Sequence, residues 1–290
     1  MIAEALIEHP DWSIESLCSW LKVSKSGFYR WKNTGSSPGK DEYELDLIQL
    51  IFEHKHQKAG ARTIKMLLER NFFLTINLKR VRRLMKVLGL ETKIRRKSKY
   101  NGRSKVGDQH ATVPNFLERD FTPQEADSVY CTDVTYLDYG NGSRAYLSVI
   151  KDLATREIVH YRLSKTMFLD LVTEGLTELF TKVNSKHRRV LMVHSDQGSH
   201  YTSRQYRELL ERCNVMQSMS RRGNCIDNAP IESFFGHMKD EMEYRSCENY
   251  EELGKTVERY MDYYNNERPQ WTLKRKTPAE CRGLSFRTLV

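Results

Sequence analysis

The sequence predicts an α+β protein, a helical N-terminal region followed by a mixed sheet covered by helices, and three observations carry that prediction. Apolar residues recur at helical spacing from Ser13 to Leu88. Three β-branched and aromatic runs, at 129–137, 145–150 and 158–163, follow one another across short turns and read as antiparallel neighbours. Beyond them helix and strand patterns alternate, which adds further strands to the same sheet and helices to its faces.

Composition bounds the reading. At 290 residues the length fits about two domains. There is no apolar run of about 18 residues and no basic segment leading into an apolar one at the N-terminus. Neither a membrane span nor a signal peptide is expected, and the expected location is cytoplasmic and nucleoid-associated. The cysteines (Cys18, Cys131, Cys213, Cys225, Cys247, Cys281) form no C-x-x-C pair, which argues against a zinc ribbon and a disulfide framework. His54 and His56 then read as surface residues. Net charge is +9, but residues 78–105 hold 12 Lys or Arg against one Glu, so the rest of the chain sums to −2. A patch of that kind attracts polyanions, and without a membrane anchor nucleic acid is the leading partner.

In chain order, Ser13 caps a helix at 14–21 and Ser24 one at 25–32, a helical hairpin within residues 1–36 that resembles a helix-turn-helix. A Gly/Ser/Pro linker follows at 33–40. Residues 41–92 carry three more helices. The last begins after the N-cap Asn77 and closes at Gly89 in a left-handed conformation. Its apolar face is Leu78, Val81, Leu84, Met85 and Leu88; its other face is Lys79, Arg80, Arg82, Arg83 and Lys86. With Arg95, Arg96 and Lys97 just beyond, that face is expected to contact DNA phosphates. Residues 93–114 read as a basic linker, and 115–285 as the sheet domain with a C-terminal helix.

Within the sheet domain three acids stand out. Asp133 lies in the middle of the 129–137 strand, where a charge is costly unless it is paired or binds metal. Asp196 follows an apolar strand at 189–193, in a loop turned by Gly198. Glu232 lies in a helix at 231–244 opened by Asp227, Asn228 and Pro230, and Lys239 follows it by about two turns on the same face. Three carboxylates brought together cannot all stay ionised unless a cation joins them, and an all-oxygen set selects Mg²⁺ or Mn²⁺. Two such ions suit phosphodiester chemistry without a protein nucleophile.

The blocks C-T-D133-V-T-Y, H-S-D196-Q-G-S-H-Y-T-S and D-N-A-P-I-E232-S-F-F-G-H-M-K239 resemble the signatures of DDE transposases of bacterial insertion sequences, of the OrfB type. The 35 residues between the second and third acids, with a basic residue seven after the Glu, are shared with retroviral integrases. Tyr130 departs from the pattern, since relatives often carry Trp there. The resemblance implies a ribonuclease H-like catalytic domain. Asp133 would bridge two metal ions, Asp196 and Glu232 would each complete one, and Lys239 would hold a phosphate near the scissile bond. It further implies cleavage and strand transfer on double-stranded DNA, at element ends and target, by a homo-oligomer. The resemblance also implies the upstream reading-frame product (OrfA) as fusion or partner, which in that family supplies a leucine zipper; this chain shows no heptad run of its own long enough for a coiled coil. Two rivals are weaker. A DNA-binding regulator with a relic core need not keep all three acids, and no Arg-His-Arg set surrounds any tyrosine as a tyrosine recombinase requires.

Overall fold

The computed structural model of the chain describes residues 12–34, 41–93, 112–123, 125–182 and 191–287. Ser13 caps α1 (Ile14–Trp20) by accepting from the Ser16 amide at 3.0 Å, and Ser24 accepts from the Gly27 amide at 3.1 Å at the start of α2 (Lys25–Thr34). Next, α3 (Glu42–His54), α4 (Ala61–Asn71) and α5 (Leu78–Val87) close around Ile48, Phe52, Ile64, Leu68, Val81 and Leu84. The Asn77 side chain accepts from the Lys79 amide at 2.8 Å, and Gly89 ends the helix with φ +64°, both as the sequence predicts. Burying Val81, Leu84 and Met85 leaves Lys79, Arg82, Arg83 and Lys86 exposed on the opposite face.

In the rest of the chain, β1 (Val129–Tyr139), β2 (Ser143–Asp152) and β3 (Ile158–Ser164) form an antiparallel meander. On the other side of β1, β4 (Met192–Ser195) and β5 (Met216–Met219) pair in parallel, so the sheet order among the described residues is β3-β2-β1-β4-β5. The two-residue period of β1 divides its side chains between two cores. Cys131, Leu137 and Tyr139 pack with α8 (Ala229–Glu241) and α9 (Tyr250–Asp262). Tyr130 and Val134 pack with α6 (Asp170–Lys182) and α7 (Arg204–Arg212). This is the mixed sheet covered by helices on both faces that the sequence predicts.

Two details differ from the sequence reading. Helical periodicity ended by Pro269 predicts a helix over 250–266, but α9 gives way at Tyr263–Glu267 to a wider π turn. There the Asn265 side chain accepts from the Ile158 amide at 2.9 Å and donates to the Ile158 carbonyl at 2.9 Å, so docking on β3 outweighs continuing the helix. A separate helix, α10 (Pro278–Arg287), ends the described chain. Its start is a capping box legible in the sequence: Thr277 Oγ1 accepts from the Glu280 amide at 3.2 Å, and Glu280 accepts from the Thr277 amide at 2.9 Å.

Arg282 of α10 ties this end of the chain to the sheet. Its guanidinium contacts Asp127 at 2.9 Å, Asp152 at 3.0 Å and Glu157. Asp152 is fully buried, and these carboxylates repel one another without a cation. Replacing Arg282 with Ala is therefore expected to cost about 3 kcal/mol in equilibrium urea unfolding. A loss under about 1 kcal/mol would reduce the cluster to the weight of a surface ion pair.

Candidate active site

The parallel pairing of β1 with β4 ends at Cys131 opposite His194. Asp133 and Asp196 each lie two residues beyond that last pair, so the sheet delivers both acids to the same level, Asp133 within β1 and Asp196 just past the end of β4. Asp133 is held by its neighbour's amide, Val134 N donating to Oδ1 at 2.7 Å. Asp196 accepts from the Gly198 amide at 2.9 Å. A Cβ at Gly198 would stand 2.9 Å from Asp196 Oδ1, so only glycine lets the loop close on the carboxylate. Glu232 lies in the first turn of α8, which packs on the sheet through Ile231, Phe234 and Met238 and leaves Glu232 exposed.

The charges of the three acids act on one another. Burial and then the Asp196 charge push the Asp133 carboxyl up to about 8; Glu232 adds to the rise, while the Val134 amide and Lys239 oppose it. Asp196 is raised by burial against the pull of the Gly198 amide, and Glu232 is raised by burial and by Asp196. Among the described residues no three His, Cys, Asp or Glu side chains stand close enough to hold one ion as they are. The donor set nevertheless fits a hard divalent cation: all ligands are carboxylate oxygens, and their shared handicap is excess negative charge.

Of the surrounding residues the sequence marks only Asp227, as part of the helix-start signal and not as a buried ion-pair centre. Asp227, fully buried, accepts from Arg119 Nε at 2.7 Å and from Arg221 Nε at 2.8 Å and Nη2 at 2.9 Å, and Arg221 in particular holds its carboxyl far below the usual range. This bond set fixes the turn that leads into α8. The helix start is fixed from below by buried Lys151 of β2, whose Nζ donates to the Pro230 carbonyl at 3.0 Å. Behind the acids stands buried Tyr201, its hydroxyl 3.5 Å from Thr132 Oγ1, and its ring meets Tyr206 edge-on at 5.4 Å. Lys151 and Tyr201 left no signal, because their roles exist only across elements.

The predicted DNA-contacting residues divide. Lys79, Arg82 and Lys86 point outward, and Arg82 and Lys86 line a cleft of about 550 Å³ with Gly60 and Ala61 at the start of α4. Arg80 and Arg83 each bond Asp41 at 2.6 Å, and Arg80 also meets Glu44 at 2.8 Å. Arg95, Arg96 and Lys97 lie outside the described residues. Lys239 places its ammonium 4.6 Å from the Tyr136 ring centre, while Glu243, its neighbour one turn on, bonds Lys58. No described helix is long and apolar enough to cross a membrane.

Comparison with known proteins gives matches to an integrase core domain at residues 123–225 and 213–278 and to an HTH-like domain at 39–98. A putative transposase for insertion sequence element IS150 of Escherichia coli (strain K12) is 36% identical over 94% of this chain and 94% of its own length. An uncharacterized 31 kDa protein of insertion element IS600 from Shigella sonnei is 32% identical over 92% of this chain and 97% of its own. Among solved structures, the HTLV-2 integrase catalytic core domain in complex with magnesium is 14% identical with a TM-score of 0.41, covering 54% of this chain and 97% of that one.

The raised Asp133 carboxyl has a consequence for stability. A carboxyl whose pKa is higher folded than unfolded binds its proton more tightly in the native state, so stability falls as pH rises from about 4 to about 8. In chelator, wild type is expected to lose melting temperature across that window. Asp133→Asn should lose less, melting above wild type at pH 8 and converging with it near pH 4. Thermal melts over the pH series check this; parallel curves for the two proteins would remove Asp133 as the strained group.

Proposed function

Because the chain belongs to the insertion-sequence transposase family, with its integrase core and HTH-like domains, we propose that Asp133, Asp196 and Glu232 carry metal-dependent DNA strand cleavage and strand transfer. The observation that carries this reading is that Asp133 and Asp196, far apart in sequence, stand at one level of the sheet with the Glu232 charge in reach, so that burial first and then the neighbouring acids push the Asp133 carboxyl up to about 8. Asp133, Asp196 and Glu232 are the residues that would hold Mg²⁺ or Mn²⁺, Asp133 as the shared ligand and each of the other two completing one site. Bound there, such ions neutralise charge on the phosphoryl group and activate the attacking water or 3′-hydroxyl.

The chain's own residues set the geometry. The Gly198 amide fixes the rotamer of Asp196. The Asp227 bond set and Lys151 fix the start of α8 and thereby Glu232. Lys239, two turns on, holds a phosphate of the strand near the scissile bond. No side chain forms a covalent bond to DNA. The helical unit at 41–92 supplies the wider grip through Lys79, Arg82 and Lys86, and Arg80 and Arg83 join it by exchanging Asp41 for phosphate. Double-stranded element ends and target are the substrates, a homo-oligomer the working form, and the upstream-frame product the partner that adds end preference.

Two experiments test this. Asp133→Asn, Asp196→Asn or Glu232→Gln should each lower cleavage and joining of labelled end DNA by more than about a thousandfold in Mg²⁺ while leaving binding within about threefold. Near-normal turnover in any of them sinks the assignment of that acid. For the helical unit, replacing Arg82 and Lys86 with Gln should flatten the slope of log affinity against log salt by up to about 2. An unchanged slope returns that face to ordinary surface.

A further inference from the structure

We propose that Tyr136 is the base of an anion seat next to the acid cluster, in which Arg144 and Lys239 hold one backbone phosphate of the DNA strand entering the site, and that Asp138 occupies Arg144 until that strand arrives. The proposal rests on the reading of the three acids only for the identity of the polyanion. Tyr136 is 51% exposed although it lies on β1, the central strand. The reason is that β4 pairs with β1 only from Val129 to Cys131, so beyond that point β1 keeps β2 on one side and has no paired strand on the other among the described residues.

Two cations from different elements converge on the ring. The Arg144 guanidinium of β2 lies 4.3 Å from its centre and the Lys239 ammonium of α8 lies 4.6 Å from it. The ring attracts each cation, the cations repel one another, and an anion in reach of both lowers that cost. Asp138, directly across from Arg144 in the β1–β2 register, fills part of this need with a contact at 2.6 Å. Both partners are about half exposed (51% and 49%), so the pair is weak and open to exchange. A backbone phosphodiester offers the guanidinium the same two-oxygen, singly charged partner, and in the proposed seat it also reaches Lys239, so one anion then serves both cations. The seat is also near the chemistry, since the Lys239 charge reaches both Asp133 and Asp138.

The test is binding of the full chain, in chelator, to end DNA carrying single neutral methylphosphonates placed one phosphate at a time. One position should weaken wild-type binding by roughly tenfold, about the value of one charge-assisted contact. Tyr136→Leu and Arg144→Gln should each weaken binding to unmodified DNA by roughly three- to tenfold and lose the sensitivity at that position alone. Tyr136→Phe, which keeps the ring, should restore it. Asp138→Asn should tighten binding by roughly two- to fivefold, and only while that phosphate is charged. If Tyr136→Leu does not fold, Arg144→Gln and Asp138→Asn carry the same comparison. Sensitivity retained in the variants, or Asp138→Asn weakening the complex, overturns the proposal. With no metal present, either result leaves the assignment of the acids untouched, and failure of the acid variants leaves the seat untouched.

Discussion

Repulsion among three carboxylates is the constraint on which the rest of the catalytic half depends. A fold that brings Asp133, Asp196 and Glu232 within reach of one another's charges stores a cost that must be met by the rigidity of the elements presenting them. The sheet meets it for the two aspartates, because parallel pairing through Cys131 and His194 fixes their common level. Helix α8 has no such ladder, and its position relies on side chains. Ile231, Phe234 and Met238 bury one face, buried Lys151 holds the Pro230 carbonyl, and Asp227 is clamped by two arginines. Asp227 and the acid cluster make an instructive pair. One buried carboxylate is pulled far down by two arginines, and another, Asp133, is pushed up by burial and by the charge of Asp196.

The helical unit is docked on the C-terminal elements mostly through charge. Arg70 forms a two-pronged bond to Glu280 at 2.7 and 3.0 Å, Arg275 reaches Glu69 at 2.7 Å, and Lys58 meets Glu243. Lys55 lies 4.3 Å from the Tyr263 ring centre and Arg62 lies 5.7 Å from that of Trp271. A joint of this composition is held more weakly than a buried apolar one and softens with salt. The helical unit can therefore shift against the sheet at little cost to either core, which suits a protein that grips DNA in one place and cuts it in another.

What was legible in the sequence follows a simple division. Caps and periodicities are local, so Asn77, Gly89 and the two faces of α5 could be read directly. Asp133 and Asp196 could be read because a charge in a strand, or just past one, contradicts its surroundings, whereas Glu232, exposed on a helix, was marked by its place in the family block. Features created by contact across the fold could not. Nothing near Lys151 announces a buried ammonium, and nothing near Asn265 announces that it will bond Ile158 and widen its own helix into a π turn. Likewise the charge count found the basic patch, yet it did not show that Asp41 stands over Arg80 and Arg83.

That last point bears on how such a surface discriminates. Arg80 and Arg83 on the helical unit, and Arg144 beside the acids, all carry an internal carboxylate in the absence of DNA. A cation already paired contributes little long-range attraction, so it adds little to indiscriminate binding of polyanions. It contributes fully only where a phosphate arrives close enough, and in the right orientation, to displace the carboxylate. On the proposed reading the exposed Lys79, Arg82 and Lys86 recruit DNA, while the paired arginines report that it has been seated correctly. Each pairing costs some affinity everywhere and returns it only at a matching phosphate, so the carboxylates convert part of the charge of the chain from attraction into register.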